Sequence, residues 1–129
     1  MGRRQPKKGQ SKGRFARLPV SVLNTPAVTT LRHAEFRVLA LLAAQYDGYN
    51  NGALGLTFAQ ARENGISSKN TLYGALSVLL RHKLIEQTFP ASRVPPRPTM
   101  YALAWCPIDD TEWSRKTSVP SHDYRRFKG

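Results

Sequence analysis

Apolar residues change their rhythm several times along this chain of 129 residues, and each change predicts an element. Residues 1–14, MGRRQPKKGQSKGR, hold almost nothing that can be buried. A segment of that kind cannot offset its ordering entropy, so a disordered basic arm is expected. From Phe15 to Leu31 apolar side chains fall at irregular intervals, broken by Pro19 and Pro26. Proline suits the first turn of a helix, so two short helical turns are expected there, forming a collar. From His33 to Tyr46, Phe36, Leu39, Leu42, Ala43 and Tyr46 share the i, i+3, i+4, i+7 stripe of an amphipathic helix. Leu41 lies about 200° from Leu39 on a wheel of ~100° per residue. That second apolar side calls for a cover, either the collar or a second copy of the chain.

Asp47 to Gly52 supplies turn residues, and Leu54-Gly55-Leu56 is short enough for a single edge strand. Thr57 with Gln60 three residues on reads as a capping box, in which hydroxyl and amide each satisfy a backbone N–H. The helix it opens should run to about Asn64 and stop at Gly65, with Ile66 pinning the turn to the core. Ser67 or Ser68 then caps a third helix reaching about His82. Leu72, Ala75, Leu76, Leu79 and Leu80 form its apolar face, while Asn70, Gly74, Ser77 and Arg81 lie opposite, with Lys69 and Tyr73 at one edge.

Leu84 to Phe89 reads as a strand with Ile85 and Phe89 on one side, and Thr99 to Trp105 as a second with Tyr101, Leu103 and Trp105 alternating against Met100, Ala102 and Ala104. The intervening Pro90 to Pro98 contains four prolines and two arginines and predicts a projecting loop without sheet. From Pro107 onward the chain mixes charge, proline and serine with Trp113, Tyr124 and Phe127, and a loosely held tail is expected. The organisation so predicted is an arm over 1–14, a domain over 15–108 and a flexible tail over 109–129.

Charge sharpens this picture. The chain has 20 Lys plus Arg against 8 Asp plus Glu, a net charge of +12 and a pI near 10.6. Residues 1–17 alone carry seven cations (Arg3, Arg4, Lys7, Lys8, Lys12, Arg14 and Arg17) and no acid. A polyanion is the natural partner, because each neutralised phosphate releases condensed counterions. A solubilising tail, a membrane-surface patch and an organellar transit segment are the alternatives, but no amphipathic or lipidation signal accompanies the run. The longest apolar run, Val38 to Ala44, falls far short of the ~20 residues of a membrane helix, so no membrane partner is expected. A positive start without an apolar stretch after it does not read as a secretory signal. One cysteine, Cys106, excludes an internal disulfide and fits a reducing cytoplasm, with nucleoid association in a bacterium.

Catalytic patterns are weak. His33, His82 and His122 are far apart without Cys or carboxylate at ligand spacing, so neither a metal nor another cofactor is expected. Asp109-Asp110-Thr111-Glu112 could hold a cation in a nuclease, but beside Arg115 and Lys116 it reads as a solvated run. No phosphate-binding glycine loop or nucleophile motif is present. Trp105 and Tyr101 could stack on bases, but their alternation with Leu103 favours core packing.

The order helix, short strand, helix, turn, helix, strand, arginine-bearing loop, strand resembles the winged helix-turn-helix fold. Ala61 lies four residues before Gly65, matching the small residue and turn glycine that let two such helices cross closely. Leu18-Pro19, the loop Tyr46 to Gly52 and the run Tyr101 to Pro107 further resemble small winged-helix proteins of bacterial mobile elements, phages and plasmids, some related to replication initiators. Two features depart from that group. His82-Lys83 stands where a glycine commonly ends the third helix, and the wing is proline-rich where glycine is usual.

The resemblance implies an α+β, mainly α fold with a three-helix core, a β-hairpin wing, a flexible basic N-terminal arm and a flexible C-terminal tail. It implies a non-enzymatic protein that binds double-stranded DNA, in replication or transcription control of a mobile element. Ser68, Lys69, Asn70, Tyr73, Gly74, Ser77 and Arg81 would form the recognition helix's contact face, Arg93 and Arg97 the wing contacts, and the seven cations of residues 1–17 the phosphate contacts. Asn70 is suited to adenine, Lys69 and Arg81 to guanine or phosphate. Gly74 inside a helix costs ~1 kcal/mol relative to alanine; either it allows close approach to DNA or the face is merely small and solvated. An RNA-binding or ribosome-associated protein, and a protein–protein adaptor on the same scaffold, are the competing classes. With no heptad pattern, monomer and homodimer both remain compatible.

Overall fold

The computed structural model describes residues 14–128. Helical turns α1 (Val20–Leu23) and α2 (Pro26–Thr29) form the collar, with Pro19 at the N-cap of the first and Pro26 as the first residue of the second. Trp105 Nε1 donates to Arg17 O at 3.2 Å and ties this stretch to the domain. Helix α3 (His33–Gln45) follows, with Val38, Leu39, Leu42 and Ala43 buried. Phe36, expected on that stripe, is 36% exposed, while Val38 is fully buried. At ~100° per residue the buried face is centred near Tyr46, which brings Val38 in and leaves Phe36 at the margin. Leu41 is half-buried and packs against the core, as do Leu18 and Leu23 of the collar region.

Helix α4 (Phe58–Glu63) opens with the capping box: Gln60 N–H donates to Thr57 Oγ1 at 3.1 Å, and Thr57 N–H to Gln60 Oε1 at 2.9 Å. It closes on Gly65, whose φ of +95° is free of penalty only without a Cβ. Ile66 N–H reaches Ala61 O at 2.9 Å and Gly65 N–H reaches Arg62 O at 3.2 Å, the paired bonds of a Schellman motif. Ala61 and Ile66 are both buried, so cap and crossing anchor the same turn.

Helix α5 (Lys69–Arg81) is capped by Ser68, whose Oγ accepts from Thr71 N–H at 3.3 Å. Leu72, Ala75, Leu76 and Leu79 are buried, Leu80 partly so, and α5 packs against α3 at the centre of the core. The same closing bonds recur at its end, Leu84 N–H to Leu79 O at 3.1 Å and Lys83 N–H to Leu80 O at 3.0 Å. Here Lys83, not glycine, takes the left-handed position with φ +64°.

Strand β1 (Ile85–Phe89) leads to a small hairpin, β2 (Ser92–Arg93) with β3 (Pro96–Arg97), and then to β4 (Met100–Leu103). β1 and β4 pair antiparallel from Ile85↔Leu103 to Phe89↔Met100, and Leu54 bridges Tyr101 on the other edge of β4. A register shift between Gln87 and Phe89 breaks the expected alternation, so Phe89 is 37% exposed and does not join Ile85 in the core. Residues 90–98, expected to lack sheet, contain the β2–β3 pairing; its two-residue ladder pairs Arg93 with Pro96 and Ser92 with Arg97. A missing N–H is tolerated in so short an edge pairing. The Val94–Pro95 peptide within it is cis. Gly55 lies tightly beside β4: a Cβ there would stand 3.2 Å from Thr99 O.

The C-terminal segment, expected to be loosely held, is packed on the domain. Asp109 and Asn51 exchange two bonds of 2.8 Å, and His122 N–H donates to Ala104 O at 2.9 Å. Tyr124, in a 3-10 turn (Asp123–Arg126), is 2% exposed and meets Trp105 edge-on. Phe127 stacks on His82 with ring centroids 3.8 Å apart. Each aromatic of the segment thus finds a partner on the domain, and Ala102 and Ala104, expected on the strand's other face, are fully buried as well. Among the described residues the whole is α+β, with five α-helices, a small two-stranded antiparallel sheet and a hairpin, an arrangement compatible with a winged helix.

Candidate nucleic-acid interface

Because α3 and the sheet cover one side of α5, its other side faces outward as a single polar stripe. Asn70, Gly74, Ser77 and Arg81 are all exposed along it, together with Lys69 and Tyr73. At ~1.5 Å per residue the helix is about 20 Å long. Apart from its chain neighbours and the backbone of its own helix, no atom lies within 4 Å of the position that a Cβ on Gly74 would occupy. Nothing inside the protein therefore requires glycine there. Ser68 spends its hydroxyl on the cap, and Lys69 Nζ stands 5.8 Å from the centroid of the Phe58 ring.

An open cleft of about 440 Å³ lies between the middle of this helix, the start of α4 and the hairpin. Its walls are mostly apolar, from Leu56, Phe58, Leu76, Pro98 and Tyr101, with Tyr73 at the side. Burial raises the pKa of Tyr101, so its phenol stays protonated at neutral pH.

The two hairpin arginines differ. Arg93 is exposed beside the tip residue Val94. Arg97 is half-buried, its guanidinium carbon 4.6 Å from the Phe89 ring centroid and 4.5 Å from that of Trp113. Its Nε is buried without a hydrogen-bond partner among the described residues. The aromatic pair ties Arg97, expected as a wing contact, to the attachment of the C-terminal segment.

Of the arm, Arg3, Arg4, Lys7, Lys8 and Lys12 lie outside the described residues. Arg14 Nη2 donates to Ala44 O at 3.0 Å and Gln45 O at 3.3 Å, at the negative end of α3. Arg17 lies over the Tyr46 ring, 5.2 Å from its centroid.

Sequence reasoning missed two groups. At the far end of the polar stripe, Arg81, Lys83 and Arg126 line a second open cleft with Asp123 and Phe127. The mismatch at His82-Lys83 was its signal, but the approach of Arg126 depends on a segment read as loose. The other is Asn51, read as a turn residue but fully buried. Its Nδ2 donates to Leu103 O, Cys106 O and Pro107 O at 3.0–3.1 Å, and its Oδ1 accepts from Leu103 N–H at 2.7 Å. One amide thereby satisfies the backbone where β4 ends and the C-terminal segment begins.

Burial first, and also the neighbouring Asp109, pushes the Cys106 thiol pKa up, against lowering contributions from Tyr46 and Arg17. That keeps it protonated and poorly nucleophilic near neutrality. Among the described residues no group of three or more His, Cys, Asp or Glu side chains could hold a metal ion, and no helix is long and apolar enough to cross a membrane. No protein-family model matches the chain, and no curated protein or solved structure matches it.

Proposed function

We propose that the chain is a winged-helix protein that binds double-stranded DNA, with the polar stripe of α5 in the major groove and the hairpin beside it. The observation that carries this reading is Gly74: a residue that weakens the helix sits mid-stripe where nothing in the protein needs it. A helix about 20 Å long, lacking bulk at its centre, suits close approach to base edges in a groove ~12 Å wide. The excess of cations supports a polyanionic partner, and Arg93 on the hairpin supports a flanking phosphate contact. Binding without catalysis, in replication or transcription control of a mobile element, is the role that the resemblance to phage and plasmid winged helices favours.

A competition series tests it. Duplex DNA should displace a labelled duplex far better than duplex RNA does, because the deep, narrow major groove of A-form RNA excludes a helix. Equal competition by duplex RNA or by single strands would transfer the chain to the RNA-binding class.

A further inference from the structure

We propose that the cleft formed by Arg81, Lys83 and Arg126 is a phosphodiester-binding site that clamps the DNA backbone at the C-terminal end of α5. The inference rests on the duplex-binding reading and adds a site contributed by the C-terminal segment. Arg81 belongs both to the polar stripe and to the lining of this cleft, so the two surfaces are continuous. A helix about 20 Å long that enters a groove ~12 Å wide carries its far end to the groove wall. The groove wall is phosphate.

Three cations line that cleft, and all three are exposed. Arg126 is carried to the cleft by a built support: Tyr124, two residues before it, is buried, and Phe127, next to it, stacks on His82 at 3.8 Å. His82 itself is fixed by a 2.8 Å hydrogen bond between Nδ1 and Ala27 O. Lys83 reaches the cleft from a left-handed backbone, φ +64°, at a helix end where glycine would be the easier choice. Asp123 is the one acid in the lining and offsets part of the positive charge. A helix C-terminus attracts cations by its dipole alone, so the site must be separated from a purely structural cluster.

The salt dependence of duplex affinity makes that separation. Each phosphate contact contributes about 0.9 to the slope of log affinity against log salt. Arg126→Gln should reduce the slope by about 0.9 and weaken binding about eightfold at 0.1 M salt, equally for duplexes of unrelated sequence. Arg125→Gln, whose side chain lies toward the Tyr124 ring and outside the cleft lining, should leave the slope unchanged. Asp123→Asn, which raises the charge of the cleft while keeping every cation, should strengthen binding and leave melting unaltered. An unchanged slope in Arg126→Gln, or weaker binding by Asp123→Asn, overturns the site while leaving the duplex-binding reading intact. Absence of salt-dependent duplex binding by the unaltered chain overturns both.

Discussion

Replacing Gly74 should separate folding from binding, because the residue lies in the middle of α5 and faces open space. Gly74→Ala removes the entropic penalty of an interior helical glycine, ~1 kcal/mol. No other part of the protein comes within 4 Å of the new methyl to offset that gain, its own helix backbone and chain neighbours apart. For a domain of this size the increase corresponds to about 4 °C in melting temperature. Gly74→Leu has a similar helix preference, so it should also fold at least as well as the parent chain. Its side chain, however, would project several ångströms from the centre of the stripe. If that stripe meets base edges, leucine should weaken duplex affinity at least tenfold, about 1.4 kcal/mol, with alanine intermediate. Chemical or thermal unfolding and fluorescence anisotropy with a labelled duplex read the two effects on the same samples. A lower melting temperature in Gly74→Ala would refute the open position of residue 74. Parent-like duplex affinity in a well-folded Gly74→Leu would refute close approach.

Other expectations concern the frame that holds the stripe. Asn51→Ala removes a buried donor and acceptor and strands the N–H of Leu103, so denaturant unfolding should show a loss of about 3 kcal/mol. Lys83→Gly relieves a left-handed backbone and should stabilise by about 0.5–1 kcal/mol once the greater freedom of unfolded glycine is subtracted, read as a shift in the unfolding midpoint. Burial raises the pKa of Cys106, Tyr46 and Tyr101, so the folded chain holds protons that the unfolded chain gives up as pH climbs. Stability contributed by these groups is intact at neutral pH and should decline from about pH 9 upward. Over the same range native Cys106 should alkylate more slowly than in the unfolded chain, followed by mass spectrometry.

Local chemistry was legible in the sequence and tertiary chemistry was not. Thr57, Gln60, Ala61 and Gly65 act within a few residues of one another, so their spacing alone yields the capping box and the Schellman turn. The stripe on α5 follows from helical periodicity in the same way. The burial of Asn51 does not, because asparagine in a turn looks the same whether its amide meets water or three carbonyls of another segment. The contacts of Arg97 with Phe89 and Trp113 were not legible, because those partners are remote from each other in sequence and carry no periodic signal. Lys83 in a left-handed conformation hides for a related reason: packing of Leu84 and Leu79 outweighs a local preference that sequence reading relies on. The C-terminal segment shows the same limit on a larger scale, since isolated Tyr124 and Phe127 gain meaning only from Trp105 and His82.

The salt titration of duplex affinity by the full chain bears most directly on its proposed role. Log affinity should fall linearly with log salt, with a steep slope of about 0.9 per phosphate contacted, to which the five cations of residues 1–13 alone would contribute up to about 4–5. A flat response, or no measurable duplex binding at low salt, would contradict a DNA-binding role and favour a protein adaptor.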